Sequence, residues 1–172
     1  MSQPILVLIG TMGAGKTTVG RKLAQRLGVG FRDTDHDVEE TAGRSVSDIF
    51  VDSGEAAFRE LESAAVARAL ADHDGVLALG GGAVLDPATQ QLLKGHRVLF
   101  LKVGISDAAA RVGLGVSRPM LLGNVRGRVR QLIEERTPIY ESVATMVLDT
   151  SGLDPDQVVE LALQMVKGGD HE

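Results

Sequence analysis

The most constraining feature of the sequence is a glycine-rich segment, GTMGAGKT, at residues 10–17. An uninterrupted apolar run at residues 5–9 precedes it, and apolar residues at helical spacing, Val19, Leu23 and Leu27, follow it. The match to G-x-x-x-x-G-K-[ST] therefore lies between a predicted strand and a predicted helix, which is the context that a phosphate-binding loop requires. The sequence predicts a nucleoside triphosphate site at this point of an α/β fold.

The residue types of this loop explain how it would bind phosphate. Glycines let backbone N–H groups turn inward around a polyphosphate, and the following helix directs its positive N-terminal end to the same place. The Lys16 side chain is expected to reach the β- and γ-phosphates, and the Thr17 hydroxyl to ligate Mg²⁺. The alternative is a glycine-rich turn with an unrelated lysine, which the complete match in this context disfavours.

Composition limits the partners that the site could serve. The 172 residues fit one domain, and 44% hydrophobic with 24% charged residues is typical of a globular protein. A net charge of -5 and an aromatic content of 3% leave little to neutralise a nucleic-acid backbone or to stack on bases, so nucleic acid is not an expected partner. The first four residues carry no basic side chain and the apolar run after them is short, so we expect no signal or membrane segment and a cytoplasmic protein.

Short apolar runs alternate with helical patterns along the rest of the chain, as in a parallel α/β sheet. Strands are predicted at residues 5–9, 29–32, 76–79, 98–103 and 145–148. The predicted helices include a short one at residues 45–50, a long one from about Glu55 with Asp52 as its N-cap, one beginning at Ser106, one at about residues 125–136 and a last one opened by Asp154 and Pro155. The predicted fold class is α/β with a five-stranded parallel sheet.

Ligands of open parallel sheets bind outside the carboxyl ends of the strands. The phosphate loop follows the first predicted strand, Asp33 and Asp35 follow the second, and three glycines at residues 80–82 follow the third. Pro155 lies beyond the fifth. One rim of the sheet is therefore predicted to carry the whole site.

These motifs, in this order, resemble those of the shikimate kinase family. The resemblance covers essentially the whole chain and rests on residues 10–17, Asp33-Thr34-Asp35, Gly43-Arg44-Ser45, Ile49-Phe50, Gly54-Glu55, Phe58-Arg59 with Glu62, residues 80–83, Ser117-Arg118-Pro119 and residues 136–140. The phosphate loop is shared by many nucleotide-binding families, whereas the Asp-Thr-Asp, Phe-Arg, triple-glycine and Arg-x-Pro-x-Tyr elements together are specific. The resemblance implies ATP-dependent phosphorylation of the 3-hydroxyl of shikimate, a step toward chorismate and the aromatic amino acids.

The resemblance also implies an arrangement of the chain. It implies a P-loop kinase fold in three layers, α/β/α, with a parallel sheet in the strand order 2-3-1-4-5. One domain is expected over residues 1–172, with a substrate-binding region at about residues 34–62 and a mobile lid at about residues 112–124. The implied ligands are shikimate, ATP and Mg²⁺, and a monomer is expected.

The site residues that the resemblance implies fall into four groups. The catalytic residues are Lys16, Asp35 and Arg118. The substrate-binding residues are Asp35, Arg59, Gly81, Gly82 and Arg136, with Glu62 holding the Arg59 guanidinium in place. The ATP-binding residues are Gly13, Ala14, Gly15, Lys16, Thr17, Thr18, Arg111, Arg118 and Pro155. The metal-binding residues are Thr17 and, through water, Asp33.

The local sequence alone leaves other interpretations open for some of these residues. Asp33 and Asp35 could be two exposed turn aspartates, although a spacing of two puts both carboxylates on one face of an extended segment. Arg59 lies between Glu55 and Glu62 at the spacing of a solvated helical ion-pair ladder. The glycine run could be a strand-ending turn, and Arg118 an incidental arginine of a mobile loop.

One further arginine needs a charge partner, and two positions depart from the family pattern. Arg136 is predicted near the packed face of its helix, where a guanidinium needs an anionic partner. The loop at residues 151–153 lacks the basic residue that the family often places there, and Ala78 replaces a small hydroxyl side chain. The sequence has no cysteine, and its histidines, at positions 36, 73, 96 and 171, lack metal-ligand spacing.

Three functional hypotheses follow. The first is a shikimate kinase, and the second is a kinase of another small hydroxy acid such as gluconate, which would also need a phosphate loop and arginines. The third is a non-catalytic nucleotide-binding regulator, against which the joint presence of Lys16, Asp35 and Arg118 argues.

Overall fold

The structure, a computed structural model, describes residues 3–11, 14–103 and 122–169. Its strands are β1 (Leu6–Ile9), β2 (Phe31–Asp33), β3 (Val76–Ala78), β4 (Val98–Lys102) and β5 (Met146–Asp149). The helices within these residues are α1 (Lys16–Leu27), α2 (Thr34–Ala42), α3 (Val46–Asp72), α4 (Pro87–Leu92), α5 (Leu122–Val143) and α6 (Pro155–Gly169), with a 3₁₀ turn at Ala83–Leu85. None of these described helices is long and apolar enough to cross a membrane.

The strands form one parallel sheet in the order β2-β3-β1-β4-β5. Strand β1 is central, because Leu6 pairs with Val76 of β3 and Val7 pairs with Val98 of β4. Every residue of β1 is buried, as expected for a strand covered by helices on both faces of the sheet. The predicted α/β class, strand number and strand order are confirmed.

Two apolar cores lie on the two faces of the sheet. Successive side chains of a strand point to opposite faces. Leu6 and Leu8 accordingly pack with apolar residues of α1 and α6, whereas Val7 and Ile9 pack with those of α3 and α5. The molecule therefore has the three layers, α/β/α, that the family resemblance implies.

A third, smaller cluster joins α2 to α3. It consists of Val38, Ile49, Phe58 and Ala65, all buried, and the Phe50 ring lies against Phe58 with centroids 4.7 Å apart. These contacts hold α2 and α3 together at the end of the sheet where β2 finishes. The predicted substrate-binding region, residues 34–62, thus has a core of its own, while its separate role stays a prediction.

Helix α3 consists of two helical stretches joined at a kink, as the sequence predicts, but the second stretch does not begin at the predicted cap Asp52. Only Gly54 leaves helical geometry, with φ 86° and ψ 171°, a conformation available to glycine without steric cost. The predicted cap is wrong, and the break falls on the glycine, while the Asp52 carboxylate pairs with Arg44 at 3.4 Å.

Helix α5 continues beyond its predicted end at Arg136. Pro138 lies inside the helix, which ends at Val143. Proline removes the N–H that would bond the carbonyl of Glu134. Both residues are exposed, so water can satisfy that carbonyl. The additional turns bring Tyr140 against the sheet, where it is fully buried.

Candidate active site

The loop between β1 and α1 has the backbone geometry that phosphate binding needs. Gly10 has φ 151°, and a Cβ at this position would lie 2.8 Å from the carbonyl oxygen of Leu101 in β4. Gly15 is the N-cap of α1 with φ 85°. Both positions therefore favour glycine, and the end of α1 that attracts anions lies directly at the loop.

Lys16 is the first residue of α1, and its side chain folds over this loop. Its ammonium group donates hydrogen bonds to the carbonyls of Gly10 at 2.6 Å and Thr11 at 3.0 Å. Desolvation by burial lowers the pKa of Lys16 to about 8, against the nearby negative charges of Asp35 and Asp33, which raise it. The ammonium group of Lys16 and the carboxylates of Asp33 and Asp35 therefore lie near one another beside the loop.

Asp33 connects the loop to helix α2. One oxygen of its carboxylate accepts a hydrogen bond from the Thr17 hydroxyl at 3.0 Å. The other accepts one from the backbone N–H of Asp35 at 2.9 Å, so Asp33 is also the N-cap of α2. The same side chain therefore faces the end of the phosphate loop and fixes the start of the helix that carries Asp35.

Asp35 is half-buried at this junction. Burial is the largest cause that raises the pKa of Asp35 to about 6, and the negative charges of Asp33 and Glu62 add to it, while Lys16 opposes the shift. A carboxyl group with a pKa in this range can accept a proton from a bound hydroxyl near neutral pH. The position of Asp35 therefore suits a general base.

Arg59 and Glu62 form an ion pair that is not a surface ladder. Their side chains meet at 2.7 Å, and Glu62 is buried, with a residue exposure of 4%. Glu55 is mostly exposed and lies 3.6 Å from the same guanidinium. Burial raises the pKa of Glu62, against the hydrogen bond and charge of Arg59. Glu62 is buried and Glu55 is exposed, so the contact with Glu62 is the one that holds the Arg59 guanidinium in one orientation.

The glycine loop after β3 packs directly against these functional side chains. A Cβ at Gly80 would lie 2.5 Å from an Asp35 carboxylate oxygen and 2.9 Å from one of Glu62. A Cβ at Gly82 would lie 2.5 Å from both terminal nitrogens of Arg59. A side chain at Gly80 or Gly82 would therefore displace the charged ends of these three side chains from their present positions.

Arg136 lies on α5 within the electrostatic range of the same cluster. It acts on the pKa values of Lys16 and Glu62, and on that of Tyr140 one helical turn further on. The Tyr140 hydroxyl donates to the carbonyl of Gly81 at 2.5 Å. The predicted arginine on α5 and the middle glycine of the loop are therefore connected through one tyrosine.

A pocket of about 190 Å³ lies between the phosphate loop and the start of α6. Its lining residues are Ala14, Gly15, Thr18, Val19, Thr150, Leu153, Pro155 and Val158. The lining is largely apolar, as suits the faces of a nucleotide base. The loop at residues 151–153, which departs from the family pattern, contributes a leucine to it.

A family model described as shikimate kinase matches residues 12–167 of the chain. The chain belongs to the shikimate kinase family. The shikimate kinase of Thermobifida fusca (strain YX) is 56% identical over 170 residues, which cover 98% of this chain and 99% of that protein. The shikimate kinase of Streptomyces coelicolor (strain ATCC BAA-471 / A3(2) / M145) is 53% identical over 97% of this chain and 98% of its own. The structure of shikimate kinase from Acinetobacter baumannii in complex with shikimate matches with a TM-score of 0.90 and 32% identity, covering 100% of this chain and 97% of that one.

In this shikimate kinase the described part of the predicted site forms two adjoining groups. The group at the phosphate loop comprises Ala14, Gly15, Lys16, Thr17, Thr18, Asp33 and Pro155. The group beside it comprises Asp35, Arg59, Glu62, Gly81, Gly82 and Arg136. Gly13, Arg111 and Arg118, with residues 112–121 of the predicted lid, lie outside the described residues.

Two hydroxyl groups of this shikimate kinase were not predicted to have a role. The Thr34 hydroxyl accepts a hydrogen bond from the backbone N–H of Gly80 at 3.1 Å, and Tyr140 bonds Gly81. Both residues belong to motifs of the family resemblance, Asp-Thr-Asp and Arg-x-Pro-x-Tyr, but neither motif indicates what its hydroxyl contacts. Their partners lie far away along the chain, which no local pattern reveals.

Proposed function

We propose that this protein transfers the γ-phosphoryl group of ATP to the 3-hydroxyl of shikimate, giving shikimate 3-phosphate and ADP on the way to chorismate and the aromatic amino acids. Family membership over almost the whole chain supports this reaction. The structural observation that carries it is the Arg59–Glu62 pair, with Glu62 buried, next to Asp35 at the edge of the phosphate loop. A fixed guanidinium beside a candidate base suits a substrate that has both a carboxylate and a hydroxyl group.

Lys16 and the phosphate loop are proposed to act on the nucleotide. The Lys16 ammonium would neutralise charge that develops on the transferred phosphoryl group, for which a cation held over the loop is well placed. The adenine would lie in the pocket between the loop and Pro155. The assignments of Arg111 to adenine and of Arg118 to catalysis concern residues outside the described ranges and stay predictions from the sequence.

Mg²⁺ is proposed to bind beside Thr17, with Asp33 holding one of its water molecules. The Thr17 hydroxyl and the Asp33 carboxylate are 3.0 Å apart and offer the oxygen atoms that this ion prefers. When bound, Mg²⁺ neutralises charge on the β- and γ-phosphates. The hydrogen bond that the Asp33 carboxylate accepts from the N–H of Asp35 keeps this metal-facing carboxylate in a fixed orientation.

Shikimate is proposed to bind in the second group of residues. Arg59 and Arg136 would bind its carboxylate, with the backbone of Gly81 and Gly82 against the ring. Asp35 would orient the 3-hydroxyl and accept its proton as the phosphoryl group is transferred. The geometry that supports this arrangement is the packing of the glycine loop against Arg59 on one side and Asp35 on the other.

We further propose that the enzyme acts as a monomer in the cytoplasm, without a nucleic-acid or membrane partner. A net charge of -5 and 3% aromatic residues support the exclusion of nucleic acid. Sedimentation analysis at working concentration tests the oligomeric state.

The function is tested by ADP release coupled to NADH oxidation, measured with ATP and Mg²⁺ in the presence and absence of shikimate. We expect turnover that depends on shikimate, and shikimate 3-phosphate as the product in mass spectra. Gluconate serves as the competing substrate, and turnover with gluconate alone would contradict the proposal. Nucleotide binding without turnover on any hydroxy acid would support the non-catalytic regulator instead.

The replacement Arg59→Lys is expected to weaken shikimate binding without affecting ATP. A lysine ammonium cannot reproduce two parallel hydrogen bonds to a carboxylate, and the buried Glu62 would keep a poorer partner. We expect the KM for shikimate to rise by roughly ten- to a hundredfold, the equivalent of one charged hydrogen bond. Arg68→Lys, on the exposed side of the same helix, is the matched control. Equal losses for both ligands would indicate a folding defect rather than a lost carboxylate contact.

The replacement Thr17→Ala is expected to raise the Mg²⁺ concentration needed for half-maximal activity. The change removes an oxygen ligand and also frees the Asp33 carboxylate from its hydrogen-bond partner. We expect a shift of roughly tenfold in a metal titration at fixed ATP, typical of a lost metal-site contact. An unchanged titration curve would contradict the placement of Mg²⁺ beside Thr17.

A further inference from the structure

The loop of residues 80–82 is held by hydroxyl groups from two separate parts of the chain. Thr34, at the start of α2, accepts a hydrogen bond from the N–H of Gly80 at 3.1 Å. Tyr140, on α5, donates one to the carbonyl of Gly81 at 2.5 Å. Since these bonds approach from different elements, each restricts a motion of the loop that the other leaves free.

Neither hydroxyl group is placed to contact a substrate. Thr34 and Tyr140 are both 0% exposed, and the Tyr140 ring packs on Phe100 with centroids 5.0 Å apart. Thr34 lies beneath the loop, between the two aspartates of the site. Any influence of these side chains on the reaction must therefore pass through the loop backbone, or through Arg136 in the case of Tyr140.

The loop in turn sets the positions of the groups that would hold the phosphoryl acceptor. Its backbone leaves no room for a Cβ against Asp35 and Glu62 at Gly80, or against Arg59 at Gly82. A movement of the loop would change the space in which these side chains lie. Catalysis of phosphoryl transfer depends on the placement of the reacting groups, so displacements of these side chains would lower the rate.

We propose that Thr34 and Tyr140 are positioning residues for shikimate: their hydroxyl groups fix the loop of residues 80–82, and the loop fixes Asp35, Arg59 and Glu62. This inference rests on the function proposed above. Removal of the Thr34 hydroxyl leaves the buried N–H of Gly80 without its partner, and removal of the Tyr140 hydroxyl takes a hydrogen bond from the partly buried carbonyl of Gly81.

The kinetic test uses substitutions that remove only the hydroxyl groups, Thr34→Val and Tyr140→Phe. Each is expected to lower kcat/KM for shikimate by roughly tenfold, while the KM for ATP stays within about twofold, because the phosphate loop is held by other contacts. Thr34→Ser, which restores the hydroxyl, is expected to recover most of the loss. The proposal would be overturned if kcat/KM for shikimate were no higher in Thr34→Ser than in Thr34→Val, or if the losses for shikimate and ATP were equal.

Thr145→Val is the control for the loss of a threonine hydroxyl that accepts a backbone N–H away from the site, although Thr145 is exposed and Thr34 is buried. The Thr145 hydroxyl also accepts a backbone N–H, that of Val98 at 2.9 Å, but at the opposite edge of the sheet. This variant is expected to lose thermal stability without any change in the kinetics with shikimate. A loss of kcat/KM equal to that of Thr34→Val would overturn the proposal.

Amide hydrogen exchange, followed by NMR, tests the structural half of the inference without substrate. Thr34→Val is expected to speed exchange at Gly80 and Tyr140→Phe to shift the resonances of residues 81–82, whereas Thr145→Val should leave all three glycines unchanged. Absence of these changes would overturn the inference even in an active kinase. Conversely, the protein could show these exchange changes and yet fail to phosphorylate shikimate. That result would refute the proposed function, but the two hydroxyls would keep their role in holding the loop.

Discussion

Replacement of Lys16 by methionine is expected to lower kcat by roughly three orders of magnitude. The Lys16 ammonium is the cation that the structure holds over the phosphate loop, where it donates to the carbonyls of Gly10 and Thr11. Methionine keeps the length of the side chain and removes the charge that stabilises the transferring phosphoryl group. The measurement is the coupled ADP-release assay at saturating ATP and shikimate, with circular dichroism to show that the fold persists.

The matched control is Lys22→Met on the same helix. Lys22 is exposed and its ammonium pairs with Asp156 of α6 at 2.7 Å, away from the loop. Exposed pairs of this kind contribute roughly 0.2–1 kcal/mol, so stability should change little and kcat should hardly change. If Lys16→Met retained near-normal turnover, Lys16 would have no catalytic role and the loop would only bind nucleotide.

Asp35→Asn is expected to lower kcat by roughly two orders of magnitude or more, the usual contribution of a general base. Asparagine is nearly isosteric with aspartate but cannot accept the proton of the 3-hydroxyl. Burial and the neighbouring carboxylates, which raise the pKa of Asp35 to about 6, make this residue the stronger candidate base of the two aspartates. The measurement is kcat at saturating substrates, together with the Mg²⁺ concentration for half-maximal activity, which should change far less.

Asp33→Asn should raise the Mg²⁺ requirement more than it lowers kcat, the reverse of Asp35→Asn. Asparagine can still cap α2, because its side-chain oxygen accepts the same N–H, so the helix should keep its start. The loss of negative charge next to Thr17 should instead raise the Mg²⁺ requirement. Asp37→Asn, on the same helix, removes an ion pair with Arg32 of β2 and controls for general damage to α2. Identical profiles for the variants at 33 and 35 would refute this division of roles.

The sequence predicts the parts of the site that local structure determines. The phosphate loop is contiguous, so its glycines, Lys16 and Thr17 are placed by one strand-loop-helix unit. The sheet order follows from the family resemblance and is confirmed. The spacing of Arg59 and Glu62 predicts their contact, but only the burial of Glu62 distinguishes a fixed guanidinium from a solvated pair.

The rest depends on contacts between distant segments, which local patterns do not encode. The hydroxyl of Thr34 meets Gly80, and that of Tyr140 meets Gly81, only after the sheet has formed. The same holds for α5, whose extension past Pro138 is stabilised by the burial of Tyr140 against the sheet rather than by helix propensity. The kink in α3 is different, because it falls on Gly54 rather than on the predicted cap Asp52, and glycine adopts this backbone conformation without steric cost.

The central position of β1 has a consequence for the order in which the protein can be made. Strand β1 is synthesised first, yet both of its partners, β3 and β4, come much later in the chain. The backbone that packs closely against Gly10 is the carbonyl of Leu101, which belongs to β4. A nascent chain that ends before Val98 therefore has the entire nucleotide motif but cannot give it its shape, and long-range pairing of this kind is slow. Until β4 is made, one edge of the apolar strand β1 has no partner, and an unpaired apolar edge of this kind favours aggregation.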